Sequence, residues 1–226
     1  MRIIDWKEHA TTSGSFTTTS GNVKVIEHFY MPQLKAHRRL WLYLPPDYEH
    51  SDRRYPVLYM HDGQNLFDTA TSHVGEWNVD KTLDRLFYEK ALPGLIVVGI
   101  DNGNETRFEE YIPWKMGRHY ACFVMHTLKP FIDKRFRTLG DRENTGIMGS
   151  SLGGLISLYL GTKYPRIFSK VGAVSPAMHF AGDSFDGVQK QLDMKIYMDV
   201  GTDENLPYTS PSACVWKIQK FAWKIQ

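Results

Sequence analysis

Cysteine is scarce in this chain: there are two, Cys122 and Cys214, in 226 residues. Two cysteines make no disulfide framework, and no spacing in the sequence has the form of a metal site. Long apolar runs are also missing. Nothing approaches the length of a membrane span, and Met1 to Glu8 has no continuous apolar core of the kind a signal peptide needs. Charge bias is absent too: 27 Lys and Arg against 25 Asp and Glu leave a net +2, which gives no electrostatic reason to invoke nucleic acid or an anionic membrane surface. There is no Gly-x-Gly-x-x-Gly after the first strand and no Walker A run, and the acidic stretch Asp101 to Glu110 lacks EF-hand spacing. The expectation is a cytoplasmic protein without metal or cofactor and without a nucleic-acid or membrane partner.

The chain is long enough to bury a substantial core, and its 42% hydrophobic content suits one α/β domain better than two. Residues 1–22 read as an N-terminal loop or hairpin segment, because Thr11 to Gly21 is rich in Thr, Ser and Gly; residues 23–226 read as the domain. Val23 to Met31 and Arg38 to Leu44 have the β-branched and aromatic content of strands. Pro56 to His61 and Gly94 to Ile100 are short apolar runs of the buried parallel type, and Glu143 to Met148, Lys170 to Val174 and Met194 to Val200 read as further strands. Asn78 to Lys90 has helical spacing. Gly117 to Phe136 reads as helix with Pro130 as a kink or break, and Leu155 to Lys163 as an amphipathic helix. The basic cluster His37-Arg38-Arg39 and the pair Arg53-Arg54 read as solvated strand ends. Alternating strands and helices imply a mostly parallel sheet covered on both faces, whose working loops lie beyond the carboxyl ends of its strands.

The most informative stretch is Gly149-Ser150-Ser151-Leu152-Gly153-Gly154. It fits Gly-x-Ser-x-Gly centred on Ser151, between a strand and a helix, which is the context a nucleophile elbow requires. Small residues at 149 and 153 let the chain turn sharply and lift the serine hydroxyl clear of the sheet. The helix N-terminus points N–H groups toward the place where an oxyanion would form. The turn His61-Asp62-Gly63-Gln64, the Arg107 loop and the Asp203-Glu204 loop fall at the same edge of the expected sheet.

Taken together with Tyr55 to Phe67, Glu76-Trp77-Asn78, Arg107 with Glu110-Tyr111, Ser175-Pro176 and Asp199 to Thr202, these residues resemble the esterase family of the α/β-hydrolase superfamily. That family includes feruloyl and acetyl esterases, enterochelin esterases, esterase D and the antigen 85 proteins. The resemblance runs from about Val23 to Asn205. It implies an α/β-hydrolase fold and a serine carboxylesterase acting on a small-molecule ester through an acyl-enzyme. Ser151 would be the nucleophile, Glu204 or Asp203 the acid, and the backbone N–H groups of Gln64 and Leu152 the oxyanion hole. Trp77, Arg107 and His179 are the candidate substrate-binding residues. Trp77 could equally belong to the core, and Arg107 could pair with Glu109 or Glu110. His61 precedes the oxyanion turn and reads as a structural hydrogen-bonding residue.

The chain departs from the family at one point. The family's general base follows the acid in a loop after the last strand. Here the nine histidines lie at 9, 28, 37, 50, 61, 73, 119, 126 and 179, all before the acid loop. The C-terminal part is therefore expected to lack the last strand. Three explanations stand open: a truncated relative of an active enzyme, an esterase-like binding module, or a base supplied from elsewhere, with His179 the best-placed residue. The tail repeats Trp-Lys-Ile-Gln at 216 and 223, and its Trp216, Phe221, Trp223 and Ile225 could pair with a second copy of the chain as a homo-oligomer.

Overall fold

The computed structural model describes residues 6–9, 17–185 and 193–201. Among them run, in chain order, β1 (Lys7–Glu8), β2 (Asn22–Met31), β3 (Ala36–Leu44), β4 (Val57–His61), α1 (Val79–Tyr88), β5 (Ile96–Ile100), α2 (Arg107–Tyr111), α3 (Arg118–Phe123), α4 (Lys129–Arg135), β6 (Thr145–Ser150), α5 (Leu152–Lys163), β7 (Lys170–Val174) and β8 (Lys195–Asp199). The strands form one sheet of order β1-β2-β3-β5-β4-β6-β7-β8. The pairs from β1 to β5 are antiparallel, and β5-β4-β6-β7-β8 are parallel. This is the doubly covered, mostly parallel sheet expected from the short apolar strands. The predicted strand bounds hold to within two residues, while α5 starts three residues before the predicted Leu155. Expectations for the final strand, for Asp203, Glu204 and Cys214, and for pairing through the tail fall on 202–226, outside the described residues.

Alternation along the strands divides the core in two. Leu40, Leu42 and Leu44 of β3 and Tyr59 of β4 join Tyr111, Tyr120, Phe123 and Leu155 in the larger cluster. Their neighbours Trp41, Tyr43 and Met60 face the other way, into a smaller cluster with Val23, Phe67 and Val97. Trp77, Val79 and Leu83 pack against that second cluster, so α1 covers one face of the sheet.

Two expectations need correction. The helix after the elbow is not amphipathic: Leu152 to Gly161 are all buried. It packs on β6 and β7 and under α2, so no face is left for solvent. Arg38 is not a solvated strand end, since its largely covered side chain forms an ion pair with buried Glu110. Pro130 is accommodated by a wide π-type turn at Val124–Leu128, where the Lys129 N–H reaches back five residues to the Val124 carbonyl. That turn opens the ladder where the proline ring would otherwise crowd it.

The segment before β2 straps the loop that follows β4. Fully buried Asp68 accepts hydrogen bonds from the Thr17 hydroxyl (2.8 Å) and the Ala70 N–H (2.9 Å) and lies 2.7 Å from His9 Nε2. Burial alone would raise its carboxyl, but the His9, Ala70 and Thr17 hydrogen bonds outweigh that and bring it down to about 2. A carboxyl depressed in the folded state stabilises above its unfolded value and loses that contribution as pH falls through the folded value. Asp68→Asn is therefore expected to cost about 2 kcal/mol at pH 7, with the difference from the parent shrinking between about pH 4 and pH 2. Thermal melts across that range check this; a difference independent of pH would show that the charge is not what the donors hold.

Candidate active site

The register of the parallel strands sets the stage. His61 pairs with Ile100, Met60 with Met148, Ser150 with Val174, and Val174 with Asp199. The carboxyl ends of five strands thus lie along one edge, and the loops leaving them are neighbours.

Ser151 occupies the turn between β6 and α5, exposed, with φ 55° and ψ −120°. A non-glycine residue adopts such a backbone only when its surroundings hold it there. Its N–H donates to the Val174 carbonyl (2.9 Å), and its carbonyl accepts from Leu155 and Ala177 (both 3.0 Å). The neighbouring glycines allow the approach. A Cβ on Gly149 would lie 2.7 Å from the Gly153 carbonyl carbon, and one on Gly154 would lie 3.2 Å from Pro176 Cα. Ser175 also has positive φ (41°), and its N–H donates to Asp199 Oδ1 (2.9 Å). The loop after β7 is in this way bonded both to the elbow and to the end of β8.

On the other side of the elbow lies the turn after β4. A Cβ on Gly153 would meet Asp62 Oδ2 at 3.2 Å and His61 Cβ at 3.3 Å, so the start of α5 and this turn are in contact. Asp62 is left-handed (φ 56°, ψ 48°). Gly63 is wedged beneath the Ile100 backbone, where a Cβ would come within 2.8 Å of the amide nitrogen. Gln64 is buried, its Oε1 accepting from the Asn102 N–H (3.2 Å) and its carbonyl accepting from the Thr71 hydroxyl (2.8 Å). Leu152, the first residue of α5, is also buried; the N–H groups of a helix's first turn have no acceptor within the helix.

Beneath the turn is a polar network that sequence reasoning captured only in part. His61 is buried, with Nδ1 2.9 Å from the Tyr120 hydroxyl. Burial drives its imidazole down to about 4, opposed by the charge of Asp62 and reinforced by that of Arg107, so the ring is neutral at physiological pH. The Tyr120 ring packs edge-on against that of Tyr111, with centroids 5.2 Å apart, and the Tyr111 hydroxyl accepts the Asp62 N–H (3.3 Å). Burial pushes both phenols well above the usual range. The signal for Tyr120 in the sequence was only its place on the apolar face of a helix; a buried tyrosine hydroxyl needs a partner, but not a particular one.

Arg107 makes neither of the pairs considered for it. It forms a fork onto Asp62, with Nε to Oδ1 at 2.7 Å and Nη2 to Oδ2 at 2.8 Å. Glu110 is taken by Arg38 and Glu109 by Lys115. Trp77 is partly buried against the smaller core cluster, its backbone N–H donating to the Asn65 carbonyl (2.9 Å). His179 is exposed on a short turn after β7, its ring 4.1 Å from that of Phe180, which packs edge-on against Phe108.

A polar cleft of about 380 Å³ opens beside Gln64, lined by Glu27, His28, Arg39, His73 and Asp101 among others. The register of β2 against β3 shifts between Ile26 and Phe29, and that bulge is where Glu27 and His28 sit. Burial raises the Asp101 carboxyl to about 6, against the pull of the Trp41 hydrogen bond. Among the described residues no group of His, Cys, Asp and Glu is placed to hold a metal ion, and no helix is long and apolar enough to cross a membrane.

Comparison with known proteins fits this geometry. The family model described as "Putative esterase" matches residues 32–224. The protein YbbA of Bacillus subtilis (strain 168) is 30% identical over 185 residues, covering 75% of this chain and 70% of that protein. Among solved structures, the ferulic acid esterase AmCE1/Fae1A of Anaeromyces mucronatus superposes with a TM-score of 0.64 at 19% identity, over 93% of this chain and 82% of that one. The enterobactin esterase FES of Shigella flexneri gives 0.61 at 22% identity, and the match covers 73% of this chain but 40% of that longer one. A strand–elbow–helix at the carboxyl edge of an α/β-hydrolase sheet and a family match over most of the sequence agree: the chain belongs to the esterase family.

Proposed function

We propose that this chain is a serine carboxylesterase that hydrolyses a small acyl or aryl ester through an acyl-enzyme on Ser151. The backbone of Ser151 carries the reading. A serine held at φ 55°, ψ −120°, between the loop after β7 and the turn after β4, is a costly arrangement that presents a hydroxyl to solvent at the head of a helix.

In the proposed reaction Ser151 Oγ attacks the ester carbonyl carbon while a histidine takes its proton. The oxyanion accepts the N–H groups of Leu152 and Gln64, each such donor worth about 3 kcal/mol of transition-state stabilisation. The intermediate collapses, expelling the alcohol with the proton returned by the histidine; water then cleaves the acyl-serine by the reverse sequence of transfers. Glu204 or Asp203 is the acid that orients the histidine. Of the histidines in the described residues, His179 is the best placed for the base: it is exposed, and it lies two residues after Ala177, whose N–H bonds the Ser151 carbonyl. His61 is ill suited, being buried, held by Tyr120 and depressed to about 4. One side of the ester would lie in the cleft beside Gln64.

A second reading has its own observation. Among the described residues no histidine ring is hydrogen-bonded to the Ser151 hydroxyl, those of His9 and His61 being held by Asp68 and Tyr120, which favours a binding module that keeps the elbow and holds an ester without turning it over.

Hydrolysis of a p-nitrophenyl short-chain ester separates the two. The esterase reading expects turnover that falls on the order of 10⁴-fold or more in Ser151→Ala, with a fluorophosphonate probe labelling Ser151. Equal rates for parent and Ser151→Ala, with saturable ester binding and no labelling, would sink it in favour of the binding module. Gly149→Ala is expected to cost about 2 kcal/mol of stability and most of the activity, because its Cβ would meet the backbone of Gly153; a variant that melts and turns over like the parent would show the elbow is not closed this tightly.

A further inference from the structure

The turn that carries Gln64 is built at a cost. Asp62 is not a glycine, yet it holds a left-handed backbone, which a side chain with a Cβ disfavours. Gly63 has the Ile100 backbone directly against it, so the turn has a rigid wall on one side. What keeps it pressed to that wall comes from one stretch of chain, residues 102–111. Arg107 takes both oxygens of Asp62 in a fork, Asn102 Nδ2 adds a bond to Oδ1 (2.6 Å), and the Asp62 N–H is held by Tyr111. The Arg107 guanidinium also lies over the Tyr111 ring, 5.2 Å from its centre. Asp62 is nearly buried and Arg107 three-quarters so, with side chains 9% and 25% exposed. A bidentate pair of this kind fixes direction as well as distance.

From this geometry we infer that Arg107 is a positioning residue and not a substrate ligand: it clamps Asp62 in the left-handed conformation and so aims the Gln64 N–H at the oxyanion above Ser151. The inference rests on the esterase reading for its kinetic consequence, but the clamp itself does not. Two of the guanidinium donors that a substrate carboxylate would need for a matching fork are already engaged. Lysine could supply the charge at this position but not the planar pair of N–H groups.

The test has an arm for each part. Hydrogen exchange followed by mass spectrometry on the intact chain reads the clamp without any turnover. The Asn65 and Leu66 amides, bonded inside the turn to the Asp62 and Gly63 carbonyls, are expected to exchange at least about tenfold faster in Arg107→Gln, with the peptides of β6 and α5 unchanged. Unchanged protection at the turn overturns the clamp. In steady-state kinetics with a p-nitrophenyl ester, Arg107→Gln is expected to lower kcat about 10²-fold, the scale of one misplaced oxyanion donor, with KM within about twofold. Arg107→Lys should recover part of the loss. Asp62→Asn should lose a similar factor, and the double variant no more than either single one. A raised KM with kcat intact would overturn the inference and make Arg107 a substrate ligand. Losses that multiply in the double variant would overturn the pairing. A parent chain that turns over no ester defeats the esterase reading alone, and exchange then decides the clamp by itself.

Discussion

The backbone of Ser151 is the constraint to which the rest of the molecule answers. Its conformation is sustained from three directions: Val174 at the end of β7, Ala177 just beyond it, and the first turn of α5 through Leu155. Each of these must be in place for the serine to stay strained, so the strand register and the depth of α5 are parts of the site. That explains why α5 is buried on all sides. An amphipathic helix on the surface could tilt; one enclosed by β6, β7 and α2 holds its N-terminus where the register puts it.

The sequence reading succeeded where the signal is local and failed where it is not. β7 was read to the residue at Lys170–Val174, and β4 to within one, because apolar runs bounded by turns carry the strand signal in themselves. The elbow was legible because glycines at 149 and 153 and a serine between them are a local steric requirement. Arg107 was read as a loop residue that could bind substrate or instead pair with its chain neighbours Glu109 or Glu110. Its partner is Asp62, 45 residues away, and no periodicity reports that. The amphipathic reading of α5 failed for a related reason: a serine, a threonine and a lysine in an apolar stretch look like a wet face. Instead the Ser157 and Thr162 hydroxyls bond back to the Gly153 and Leu158 carbonyls within the helix.

Two kinds of polar burial coexist around the turn after β4. The pair of Asp62 and Arg107 joins opposite charges in a bidentate fork. The group of His61, Tyr111 and Tyr120 stays neutral, its imidazole depressed and its phenols raised by the same desolvation. Placing charged and neutral members side by side lets the turn be held by directional bonds without a further charge inside the neutral group.

The strap before β2 has a consequence for how the molecule is made. His9 meets Asp68 across 59 residues, His61 meets Tyr120 across 59, and Arg107 meets Asp62 across 45. Contacts of such span reward the chain only after the intervening loops have closed, and closure of long loops is what slows folding. The secondary structure around the turn is local, but its geometry is a property of the whole chain. A nascent chain that has emerged only as far as α1 contains the residues of the turn and none of the clamp that shapes them.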